Sequence, residues 1–67
     1  MNWIMLEAKT KERGLTNEDV AKALNIDPST YYRKKRGETD FYRREIRLIR
    51  KLLCLSSEEV DSIFFNQ

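Results

Sequence analysis

Leu15–Gly37, LTNEDVAKALNIDPSTYYRKKRG, is the stretch on which the reading of this chain turns. Thr16 is a good helix N-cap with Asp19 three residues on, and Leu15 can staple onto Val20. Asn25-Ile26-Asp27 then reverses the chain, because Asn tolerates positive φ better than any residue except Gly. Asp27 caps a second helix with Pro28 at its first position, Ile26 can pack on Tyr31, and Gly37 ends it. Two short helices and a tight turn result. The second helix begins with small polar residues and closes with Arg33-Lys34-Lys35-Arg36.

Working outward, a first helix is expected from Asn2 to Arg13, stopped by Gly14, with Trp3, Leu6 and Thr10 on one inward face. Ile4 and Met5 fall off that face. A fourth helix is expected over Arg43 to Cys54, with Ile46, Ile49 and Leu53 facing the core and Leu52 beside them. Ser56 and Glu59 form a capping box for a fifth, which buries Val60, Ile63 and Phe64. No β-branched alternation reaches strand length. The expectation is an all-α, compact five-helix domain spanning residues 1–67, with a helix-turn-helix at helices two and three, residues 16–37.

Composition narrows the function. The net charge is only +2, but Arg33 to Lys51 holds nine cations against three acids, so one stretch is electropositive and the remainder mildly acidic. The chain has no histidine and a single cysteine, Cys54, so no His/Cys metal site, disulfide or Cys-His dyad can be assembled. Cys54, beside core positions, is expected to be a buried thiol. Glu58, Glu59 and Asp61 are better explained as helix-start charges than as catalytic acids. The reading is therefore not an enzyme, with no metal, cofactor or small-molecule ligand. No apolar run approaches membrane-spanning length, and the start lacks the pattern of a signal peptide, so a cytoplasmic address in a bacterium or a phage-infected cell is expected.

Within the central unit, Val20, Ala21, Leu24, Ile26 and Tyr31 are the internal contacts, and Ala21 lets the helices approach closely. Counted from the Asp27 cap, Pro28, Ser29, Tyr32 and Arg33 point outward, while Thr30 and Tyr31 turn back. The segment resembles the lambda-repressor-like (XRE, Cro/cI-type) helix-turn-helix family of small phage and bacterial regulators. The resemblance is carried by Gly14-Leu15-Thr16-Asn17, Val20-Ala21, Leu24-Asn25-Ile26, Ser29-Thr30-Tyr31 and Arg36-Gly37, with the trailing apolar pattern through Ile63-Phe64-Phe65.

That resemblance implies a Cro-like repressor acting by operator occupancy, a homodimer on near-palindromic double-stranded DNA. Base contacts would fall on Asp27, Pro28, Ser29, Tyr32 and Arg33. Phosphate contacts would fall on Asn17 and on the Thr39–Arg44 segment, including Thr39, Arg43 and Arg44, with Lys34 and Arg36 added from the cation run. Arg43 and Arg44 have independent support: they sit in a helix's first turn, where the macrodipole disfavours cations. Arg33 can contact guanine O6 and N7 together.

Two lysines depart from the family pattern. Lys34 stands where a large apolar residue usually seals the helix, so its stem is expected to pack while its ammonium reaches water or phosphate. Lys35 occupies an often acidic place, and Thr10 offers it no charge. Helix three is therefore expected to dock less firmly. Phe65 either folds back onto the core or joins Ile4 or Met5 in a self-association patch. The rival function is a phage antirepressor or modulator that binds a larger repressor protein through the same architecture.

Overall fold

The structure, a computed structural model, describes residues 1–65. The helices are α1 (Trp3–Glu12), α2 (Asn17–Leu24), α3 (Pro28–Lys35), α4 (Arg43–Leu53) and α5 (Ser57–Val60), the last continuing as a π-helical stretch over Asp61–Phe65. They form an all-helical globule measuring 27 × 25 × 20 Å along its principal axes, with no strand among the described residues.

The helix starts follow from local chemistry. Thr16 Oγ1 accepts from the Asp19 N–H at 3.1 Å while Asp19 Oδ2 accepts from the Thr16 N–H at 2.9 Å, so α2 opens on a full capping box. Ser56 and Glu59 make the same reciprocal pair at 3.1 and 2.8 Å. Each box satisfies two backbone donors that a helix start leaves unpaired. Replacing Thr16 by alanine should therefore cost about 1 kcal/mol. Urea unfolding at constant m-value checks this, and an unchanged midpoint would count against it. Asn25 ends α2 in the left-handed region at φ 60°, as the turn requires.

Asp27 is different from expectation. It occupies the N-cap position of α3, yet its side chain makes no capping hydrogen bond. Pro28 at the first helical position removes one donor in any case, which leaves the carboxylate exposed to solvent.

The core gathers Leu6, Val20, Ala21, Leu24, Tyr31, Ile49, Leu53, Leu55, Val60 and Ile63, all buried. Ala21 has no exposed surface, consistent with a close approach of α2 and α3. Thr10 serves well as a core residue because its Oγ1 donates to the Leu6 carbonyl at 2.8 Å. Burial also holds the Tyr31 phenol above its ordinary pKa, so it stays neutral.

Three expectations about packing are corrected. Trp3 remains half exposed at the first turn of α1, and Met5 on the neighbouring ridge packs against the core instead. Cys54 is exposed, because it ends α4 in the left-handed conformation at φ 53° and the chain turns there. Phe41, which periodicity did not single out, sits edge-on to both Tyr31 and Phe64, with ring centroids 5.9 and 5.4 Å away. This aromatic series ties α3 to the C-terminal helix through the loop before α4.

The ends are also fastened. The Asn2 N–H donates to the Ile63 carbonyl at 2.8 Å, and Arg13 Nε donates to the Leu53 carbonyl at 3.3 Å. Lys9 pairs with Glu59 between α1 and α5.

Glu7, Asp19 and Glu59 are all held below the usual carboxylate range. For Glu7 the leading cause is the hydrogen bond from Lys35, for Asp19 the Thr16 N–H, and for Glu59 the hydrogen bond from Lys9. Depressed folded values mean that their contribution is fully present above the unfolded pKa. It is lost as pH falls through the folded values. Thermal melts should stay level near neutrality and decline below about pH 4. A melting temperature that held steady into that acid range would contradict these assignments.

Candidate nucleic-acid interface

α3 is positioned by two lysines that turn inward. Lys34 Nζ lies 3.2 Å from Glu45 Oε1 and donates to the Asp40 carbonyl at 2.9 Å, with the Tyr42 ring centroid 3.9 Å away. Its side chain is 5% exposed and that of Glu45 only 1%. The same Glu45 carboxylate accepts from the Tyr42 N–H at 2.8 Å, starting α4 although Tyr42 itself supplies no side-chain cap. One buried ion pair thus joins α3, the loop after it and the first turn of α4.

The Lys34 ammonium, expected to reach water or phosphate, is thus engaged inside the protein. This buried position accepts a lysine because Glu45 neutralises it there. Buried charge without a partner would be too costly to keep.

Lys35 is held on the other side. Its ammonium pairs with Glu7 of α1 and donates to Asn17 Oδ1 at 2.8 Å, while Asn17 Nδ2 donates to Glu7 Oε1 at 3.4 Å. The charge partner comes from Glu7 and not from position 10, so the expected weak docking of α3 is corrected: α3 is anchored to α1, α2 and α4. The Asn17 amide, expected to meet phosphate, has both its oxygen and its nitrogen engaged within the protein.

Of the four α3 residues expected to face outward, Pro28, Ser29 and Arg33 do so, and Tyr32 does so only in part. Asp27, Pro28, Ser29 and Arg33 are exposed, and Thr30 and Tyr31 are turned back to different degrees. Arg33 forms no ion pair among the described residues. Tyr32 is half-buried and donates its hydroxyl to Glu18 Oε2 at 3.3 Å, which holds the ring against α2. Arg36 is exposed but engaged by Glu38 at 2.8 Å, an exchangeable surface pair.

Thr39, Arg43 and Arg44 are exposed, and Thr39 lines one surface hollow with Thr30 and Arg33. Neither arginine has a carboxylate partner among the described residues, although both lie in the first turn of α4. The Lys34–Glu45 pair fixes their spacing from α3. Of the self-association candidates, Ile4 and Phe65 are exposed at 66% and 63%, whereas Met5 is withdrawn into the core edge.

Two anchors, Glu7 and Glu45, escaped the sequence reading. A lysine in an apolar slot is itself a signal that a buried acid faces it. Glu45 was identifiable as the acid three residues into a helix that lacked a capping side chain at Tyr42.

Comparison of the chain with protein-family models, curated proteins and solved structures gave no match. No helix among the described residues is long and apolar enough to cross a membrane.

Proposed function

We propose that this chain is a sequence-specific DNA-binding regulator of transcription, Cro-like in design. One observation carries the reading. The exposed side of α3 presents Ser29 and Arg33, and Arg43 and Arg44 stand exposed at the start of the next helix, the three arginines without a carboxylate partner among the described residues. Small residues at the N-terminal end of a helix let its backbone enter the major groove, and an arginine one turn later can read guanine. The flanking arginines are suited to grip phosphate on the adjoining backbone.

In this account base contacts come from Asp27, Pro28, Ser29, Tyr32 and Arg33, and backbone contacts from Arg36, Thr39, Arg43 and Arg44. Lys34 and Asn17 act behind the interface, setting the position of α3. One such helix reads too few base pairs for useful selectivity. A homodimer on a near-palindromic operator is therefore the working assembly, with half-sites about 34 Å apart. Occupancy of the operator would block polymerase in the bacterial cytoplasm.

Selection of duplexes from a random pool, run with wild type and with Arg33→Ala, tests the proposal. Wild type should enrich a symmetric motif containing a guanine that the variant no longer demands, at a loss of about 1–3 kcal/mol. Identical motifs and affinities from both proteins would refute the role of Arg33.

A further inference from the structure

A groove of about 380 Å³ beside α4 is lined by Phe41, Ile46, Val60 and Phe65 together with Arg43, Arg47 and Arg50. The three arginines follow one another at four- and three-residue spacing, so they line one side of the helix. None has a carboxylate partner among the described residues, and Arg50 is steadied by donating to Ser57 Oγ at 3.1 Å. Phe65, part of the lining, stands 63% exposed. An apolar lining beside a row of cations without carboxylate partners among the described residues is more than a solvated helix face.

We infer that this groove docks an acidic amphipathic segment of a partner protein, with large apolar side chains on the floor and Asp or Glu against the arginines. Charge complementarity and the apolar floor together select this occupant. A nucleic-acid backbone would satisfy the arginines but gain nothing from Phe41, Ile46 and Phe65. A second copy meeting the groove across a two-fold axis would set one arginine row against another. Arg43 belongs to both surfaces, so an occupied groove weakens the DNA contact. That consequence rests on the DNA reading; the docking itself does not.

The test is a titration of the full chain, without DNA, by a synthetic helical peptide bearing Leu and Phe on one face and Asp and Glu on the other. A second peptide keeps the acids and replaces Leu and Phe by Ser. The docking peptide should move the amide resonances of Phe41, Ile46, Val60 and Phe65, and the Ser version should bind at least about tenfold more weakly. Arg47→Glu/Arg50→Glu should lose about tenfold or more while its circular dichroism stays that of wild type. Phe65→Ala, at an exposed position, should weaken the docking peptide and leave the Ser peptide unchanged.

Equal binding of both peptides would overturn the inference, as would shifts outside the groove or no binding. So would concentration-dependent shifts of the same residues without peptide, which would make a second copy the occupant. Movement of Arg47, Arg50 and Phe65 by a duplex that the peptide fails to displace would assign the groove to DNA. Because the titration contains no DNA, its failure is separate from failure of the DNA reading.

Discussion

Glu45→Ala is expected to cost about 3–5 kcal/mol, because it leaves the Lys34 ammonium in a site where 5% of the side chain reaches solvent. The loss is large for a chain this short, whose whole stability is of the order of 3–10 kcal/mol. The variant should be substantially unfolded at physiological temperature. It also removes the acceptor of the Tyr42 N–H, so α4 loses its start as well. The remaining hydrogen bond to the Asp40 carbonyl and the Tyr42 ring offset only part of the exposed deficit.

The pair is a device for placement and not a reservoir of stability. Replacing both partners by apolar residues, as in Lys34→Met/Glu45→Met, should recover most of the loss, since neither charge then needs desolvation. Urea unfolding of the single and double variants separates the contributions. If Glu45→Ala unfolds at the wild-type midpoint, Lys34 is solvated and the anchoring of α3 described above is mistaken.

Arg43→Ala/Arg44→Ala is expected to move binding and stability in opposite directions. As phosphate ligands the two arginines each release about one counterion, so the slope of log affinity against log salt should become shallower by about 2. Affinity should fall nearly uniformly across DNA sequences, because these contacts carry no base information. Both side chains are exposed, so their removal leaves no cavity. Both also oppose the dipole at the start of α4, so the variant should melt at or slightly above the wild-type temperature. A steady salt slope with a lower melting temperature would recast them as structural residues.

The local part of this architecture was legible in the residues. Thr16 with Asp19, Ser56 with Glu59, Asn25 and Pro28 each act within a few positions of the backbone they shape, so spacing alone marks the helix starts and the turn. The outward series Pro28, Ser29 and Arg33 follows from the same local geometry, once the cap position is known.

What escaped reading was set by contacts across the fold. Lys34 and Glu45, and Lys35 and Glu7, are partners from different helices, and no periodicity links them. The cation run therefore looked like one surface, whereas two of its four members point inward. Trp3 and Cys54 failed for a related reason. Helical phase places them near the core face, but each sits at a helix end where the neighbouring element no longer covers it. Asn17 shows the limit of carrying a role by position, since here its amide completes the Lys35–Glu7 cluster.

The outward side of α3 and the start of α4 together make the proposed surface for duplex DNA. Amide-shift mapping of the labelled full chain, titrated at low salt with a mixed-sequence duplex two helical turns long, tests it most directly. Nonspecific binding through phosphate contacts suffices for the measurement. Shifts should concentrate at Pro28-flanking residues, Ser29, Tyr32, Arg33, Thr39, Arg43 and Arg44, with Glu58 and Asp61 unmoved. Shifts confined to α1 or to Ser57–Phe65, or no shifts at all from a folded chain, would contradict it.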